Sequence, residues 1–182
     1  KAYIHWLCQA AGMGSGSFLR QLEQAGTARD VYDMAKRGIL EEKLHIRYKH
    51  RAQRLQAAVK DYDVMGKYKD MRDRGICLVT CRETDYPEKL AAVQDAPYAL
   101  YYAGRLPDHR KRSIALIGAR SCSEYGRYMA KEFGAALARA GVQIVSGMAR
   151  GIDGIGQMAA LGAGGYSLGV FGCGVDICYP SG

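Results

Sequence analysis

No run of about 18 apolar residues occurs in the chain, so nothing in it reads as a transmembrane helix. The opening KAYIHWLCQAAG turns polar too soon for a signal peptide, and Trp6, Leu7 and Ala10 read better as one face of a core helix. Six cysteines are present (Cys8, Cys77, Cys81, Cys122, Cys173 and Cys178), none in a C-x-x-C pair. Cys77 and Cys81 are spaced C-x3-C, but no second Cys/His pair follows at zinc-finger spacing. The thiols therefore read as reduced and partly buried, which points to a cytoplasmic protein without a bound metal. No basic tail explains the net charge of +8: residues 1–110 hold 19 Lys and Arg against 14 Asp and Glu, and residues 111–182 hold 7 against 4. A positive charge spread through a folded chain favours polyanionic partners. No amphipathic lipid-binding helix stands out, and no membrane contact is expected. Internal repeats and low-complexity tracts are also missing.

What is present divides into three segments. Residues 1–70 lack proline and carry apolar positions at helical spacing, broken by glycine turns, as in a small helical domain. Helices are predicted over Tyr3–Ala11, Ser17–Ala25 (apolar face Phe18, Leu19, Leu22), Asp30–Arg37 closed by Gly38, and Leu40–Val59. In the last of these Leu40, Leu44, Tyr48, Ala52, Leu55 and Val59 form one stripe, while Lys43, Arg47, His50, Arg51 and Arg54 form a basic face, either simply solvated or an auxiliary DNA-backbone contact. Residues 71–112 read as a connector with strand character. Ile76–Thr80 and Tyr98–Ala103 are its apolar runs, and a turn at Asp85-Tyr86-Pro87 leads to a short helix over Glu88–Val93.

Residues 113–182 alternate strand and helix: Ser113–Gly118, Tyr125–Ala140, Val142–Ser146, Ile152–Leu161 and Tyr166–Phe171. Tyr128, Met129, Phe133, Ala136, Leu137 and Ala140 are the expected packing stripe of the first helix, and Gly141 its cap. Strands joined by helices imply right-handed crossovers and a parallel sheet, so the fold class is α/β.

Ligands of such sheets bind beyond the carboxyl ends of the strands. The first end is Gly118-Ala119-Arg120-Ser121. Gly118 allows close approach, Ser121 and Glu124 have capping-box spacing, and Arg120 offers a permanently charged fork or is an ordinary surface arginine. The helix start that follows suits phosphate. The second end is Ser146-Gly147-Met148-Ala149-Arg150-Gly151-Ile152-Asp153. Here Ser146 and the Gly147 amide are candidate phosphate donors, Arg150 contacts phosphate or braces the loop, and Asp153 caps its helix or holds Arg150. The third, Gly172-Cys173-Gly174-Val175-Asp176, is a tight turn that Asp176 braces or from which it meets ligand. Candidate binding residues are thus Gly118, Arg120, Ser121, Ser146, Gly147, Arg150 and Gly151.

The same segment lacks most catalytic equipment. It has no histidine, no G-x-G-x-x-G, no GK[ST], no G-x-S-x-G and no metal-ligand cluster. Phosphate donors without an acid/base pair favour binding over turnover, so no catalytic residue and no cofactor is expected.

SIALIGAR, EYGR, IVSGMARGID and GVFGCGVDICYP, in that order and spacing, resemble the core of the DNA-processing protein A (DprA/Smf) family. GICLVTCRETDYPEKLAAVQDAPYALYYAGRLP is similar to the family's segment before that core, and AGMGSGSFLRQL to its SAM-like or helix-hairpin-helix region. The resemblance implies a Rossmann-like fold used without nucleotide chemistry, in a cytoplasmic homodimer that binds single-stranded DNA and helps load RecA during natural transformation. It puts Arg120 at the family's DNA-binding arginine and Gly118, Ser146, Gly147, Arg150 and Gly151 in its phosphate-facing loops. Two positions depart from the pattern: Gln157 stands where the family commonly has His, and Ser181 where it often has Lys. The family core normally continues further, so the chain reads as part of a longer polypeptide.

Two other readings compete. One is a LOG-like nucleotide phosphoribohydrolase, which also has a Rossmann-like core; its P-G-G-x-G-T-x-x-E signature does not occur in residues 113–182. The other is a protein–protein scaffold.

Overall fold

The structure, a computed structural model, describes residues 1–12, 16–44 and 48–180. The chain forms two compact units, Lys1–Gly104 and Arg105–Gly182. Residues 71–104, expected as a connector, fall with the helices in the first.

The first unit contains α1 (Ala2–Ala11), α2 (Gly16–Ala25), α3 (Ala28–Lys36), a 3-10 turn at Leu40–Lys43, α4 (Lys49–Ala57), α5 (Val64–Asp73), β1 (Ile76–Thr80), α6 (Glu88–Ala91) and β2 (Ala99–Ala103). Trp6, Phe18, Leu22, Leu40 and Leu55 are sealed from water in one core that takes a residue or more from each of α1 to α5. Trp6 can be buried whole because its indole N–H donates to the Ala58 carbonyl at 3.3 Å. Thr27 and Asp30 form a reciprocal capping box at the start of α3, so that helix begins two residues before the expected Asp30. β1 and β2 pair antiparallel, Ile76 opposite Ala103 and Thr80 opposite Ala99.

The single helix expected over Leu40–Val59 is not continuous. Leu44 is extended (φ −115°, ψ 149°) after the 3-10 turn, and α4 starts only at Lys49. The apolar stripe survives the break: Leu40, Leu44, Tyr48, Ala52 and Leu55 are all buried. Of its basic face, Arg51 stacks over the Phe18 ring at 5.4 Å, and Arg47 lies outside the described residues, as do positions 13–15 of the Gly12–Gly16 turn. Helix α5, capped by Asp63, has no counterpart among the predicted helices, because only Val64 and Met71 of its ten residues are buried and the apolar stripe is weak.

The second unit contains β3 (Ser113–Ala115), α7 (Glu124–Arg139), β4 (Gln143–Ser146), α8 (Ile152–Gly162) and β5 (Ser167–Gly169). The strands are parallel, in the order β3-β4-β5. Strands that succeed one another in one direction carry both right-handed crossovers on one face. Accordingly α7 and α8 pack on each other and both touch β4.

The packing stripe of α7 is not the expected one. Tyr128 and Phe133 are 61% and 51% exposed, and Ala136 and Ala140 are exposed too. Ala130, Gly134 and Ala138 are buried instead. The reason is close helix approach: a Cβ on Gly134 would collide with the Gly156 carbonyl of α8, and one on Gly156 with Leu116. Small residues make this contact, so the large apolar ones stay outside. On the sheet, Leu116 and Ile144 face the helices, whereas Ile117 and Val170 take the opposite parity and are 69% and 57% exposed.

Candidate functional site

The carboxyl ends of β3 and β4 form one continuous rim in the second unit. Gly151 has φ +86°, a left-handed backbone that a side chain would strain. A Cβ there would also strike the Ala119 carbonyl oxygen and approach that of Arg120 to 2.5 Å. The Ile152 amide donates to the Ala119 carbonyl at 3.2 Å. The two loops therefore touch through their main chains, and Arg120 and Arg150 belong to the same rim. Arg120, Ser121 and Arg150 are exposed.

Asp153 fastens this rim from beneath. It is buried, and its two carboxylate oxygens accept from the amides of Gly118 (3.1 Å) and Gly147 (3.2 Å). One side chain thus ties both strand ends, a role other than the helix cap expected of it, since α8 has no side-chain cap. A signal was available: a carboxylate in a first helical turn, placed after two glycine-bearing strand ends, has amides to accept from. Ser146, also buried, donates its hydroxyl to the Leu116 carbonyl at 2.6 Å. The Ser146 hydroxyl and the Gly147 amide are therefore engaged within the chain. Gly118 is needed at its position because a Cβ would lie 2.8 Å from the side chain of Ile152.

The capping-box expectation at Ser121 is corrected. Helix α7 starts at Glu124, so its cap is Ser123, whose hydroxyl accepts from the Gly126 amide at 3.1 Å. Glu124 pairs with Arg127 at 3.5 Å. This leaves the Ser121 side chain on the exposed loop beside Arg120. Met148 adopts φ +55°, uncommon for a residue with a side chain, and its sulfur lies against Gly169 of β5. Gln157 does not point at the rim: its amide nitrogen donates to the Ser167 hydroxyl (3.0 Å) and the Leu168 carbonyl (3.1 Å), anchoring α8 to β5. At the third strand end Asp176 Oδ1 lies over Gly174, 2.5 Å from where a Cβ would stand. Ser181 lies outside the described residues.

Among the described residues no group of three or more His, Cys, Asp or Glu could hold a metal ion, and no helix is long and apolar enough to cross a membrane.

The model of the DNA recombination-mediator protein A family matches residues 77–182, which include the whole rim. The chain belongs to this family. Over 95 residues it is 41% identical to Protein Smf of Escherichia coli, a match covering 52% of this chain and 25% of that protein. It is 40% identical to DNA processing protein DprA of Streptococcus pneumoniae, also over 95 residues, 52% of this chain and 33% of that one. The crystal structure of the Streptococcus pneumoniae DprA superposes with a TM-score of 0.72 at 28% identity, covering 99% of this chain and 60% of that one. The chain thus matches less than two thirds of the length of these DprA and Smf relatives. The family match includes all but the first residue of β1 and the whole of β2 as well as the parallel sheet and its rim, and the family is a DNA-processing one.

Proposed function

We propose that this chain binds single-stranded DNA along the rim at the ends of β3 and β4 and does no chemistry on it. The observation that carries this reading is the main-chain contact of Gly151 with Ala119 and Arg120, which keeps two arginines on one edge. Arg120, Arg150 and Ser121 meet the phosphates. Gly118, Ser146, Gly147 and Gly151 hold the loops at the height where backbone and strand can approach. Guanidinium forks suit phosphate oxygens, and a strand held through its backbone is read with little sequence preference. Exposed Tyr125 and Tyr179 are surfaces on which bases stack.

A phosphoribohydrolase would need a carboxylate open to substrate at this rim. Asp153 is buried with both oxygens occupied by amides, which favours binding. Family membership supports three further parts of the proposal: that the full-length protein acts in DNA uptake and recombination by helping to load RecA, that it does so as a homodimer, and that it works in the cytoplasm.

Fluorescence anisotropy with labelled single- and double-stranded oligonucleotides at two salt concentrations tests the reading. Preferential binding of the single strand is expected, with affinity that falls steeply as salt rises. Equal binding of both forms, or no salt dependence, would remove it.

A further inference from the structure

A second surface lies on the outer side of the α7–α8 pair and meets the strand-end rim only at Arg150 and Gly151. There the two helices leave an open groove of about 810 Å³. Arg127, Lys131, Arg139 and Arg150 line it, against one acid, Glu132. Arg127, Lys131 and Arg139 border the groove along α7 at spacings of four and eight residues, a cationic track about 18 Å long at the helical rise, in which Arg127 is also paired with Glu124 at 3.5 Å. Lys131 and Arg139 make no ion pair among the described residues. Between the charges the floor is aliphatic: Ala135 of α7 with Ile155, Met158 and Ala159 of α8. Met158 is 71% exposed, a large apolar side chain left open in water.

We propose that this groove docks an acidic amphipathic segment of a partner protein, its carboxylates on the cationic track and its aliphatic side chains on the floor. Charge complementarity and the floor decide the class of occupant. A nucleic-acid strand would use the cations, but the lining has no aromatic ring for bases to stack on, and bare phosphate does not benefit from Met158 or Ile155. A second copy of this chain would bring a net charge of +8 to a surface that is already cationic. Acidic residues flanking aliphatic ones satisfy both parts, as in helix-in-groove recognition. One end of the groove reaches Arg150 and Gly151, so a docked partner would sit beside the strand-end rim. The inference does not depend on what that rim binds.

The test uses the chain with a fluorescein-labelled peptide of Glu, Asp and Leu, the leucines at helical spacing, and a control peptide with every Leu replaced by Ser. The leucine peptide is expected to bind, and the control to bind much more weakly. The Lys131→Glu, Arg139→Glu double variant should weaken the leucine peptide by about tenfold or more, since two attractive contacts become repulsive. Met158→Asp should weaken it as well, because the floor is then charged. Labelled oligo-dT titrated against the same double variant should keep its affinity. Failure of the leucine peptide to bind, or equal binding of both peptides, overturns the proposal. A matching loss of oligo-dT affinity in the double variant overturns it in favour of a DNA path. Self-association of the wild-type chain that Met158→Asp abolishes in sedimentation overturns it in favour of a second copy.

Discussion

In the helical unit Trp6, Phe18, Leu22, Leu40, Ala52 and Leu55 are sealed from water; in the α/β unit the sealed apolar residues are Ile144 and Ala160. The α/β unit instead leaves Ile117, Phe133, Met158, Leu161 and Val170 more than half exposed. The polar anchors of the two units differ in what they hold. In the helical unit Arg82 grips Glu23 at 2.8 and 2.6 Å while Tyr98 donates to the same carboxylate at 3.0 Å, joining α2 to the segment between β1 and β2. In the α/β unit Asp153 and Ser146 bind main-chain groups and hold the strand ends in place. One region is built around its interior and the other around an edge. A parallel sheet is ordinarily covered on both faces, whereas the face with Ile117 and Val170 is open among the described residues.

The contrast can be broken most directly at Trp6. Trp6→Ala should lower the stability of the helical unit by roughly 3–5 kcal/mol in urea denaturation, because a large buried ring leaves a cavity. Binding of oligo-dT by the fraction still folded should be unchanged. Asp153→Ala should be the costliest change at the rim, at about 1–3 kcal/mol, since it leaves two amides without their acceptor. Unlike Trp6→Ala it should also weaken oligo-dT, because the loops bearing Arg120 and Arg150 lose their common anchor; unaltered binding would show that the rim keeps its shape without it.

Acidification sharpens the contrast from the other side. Burial holds the His5 imidazole below its ordinary value of 6.5, with its Nδ1 2.9 Å from the Tyr101 hydroxyl. The unfolded chain then binds the proton more readily than the folded one, so stability falls as pH drops past 6.5 and stops falling below the folded value. The loss should appear in the helical unit's transition and vanish in His5→Gln. The smallest effect is expected at Ile117: Ile117→Ser should change stability by no more than about 0.5 kcal/mol, as at other exposed positions. A much larger loss would mean that the open sheet face is packed.

The sequence carried the strands, the glycine-rich strand ends and the family resemblance, because apolar runs bounded by glycine and the SGMARGID stretch are local patterns. What escaped it depends on contacts between elements. In α7 the large residues Tyr128 and Phe133 mimic a packing stripe, while the real one is built on Ala130, Gly134 and Ala138 and is decided by Gly156 on another helix. The Leu40–Val59 stripe correctly marks what is buried, but helical spacing is blind to a break such as Leu44, where both halves still reach the core. Capping-box spacing points to Ser121 because it needs only sequence separation, whereas α7 starts at Glu124 and is capped by Ser123. Asp153 was noticed, but its partners Gly118 and Gly147 become neighbours only when the sheet forms.

If the cationic edge grips DNA independently of the packed interior, the effect of removing the Arg120 guanidinium must be confined to binding. Arg120 is exposed, so Arg120→Ala should leave thermal unfolding unchanged while oligo-dT affinity falls by about tenfold and its dependence on salt becomes shallower, since one phosphate contact is lost. An Arg120→Ala protein that folds normally and binds oligo-dT as tightly as the parent, with the same salt slope, would contradict the account.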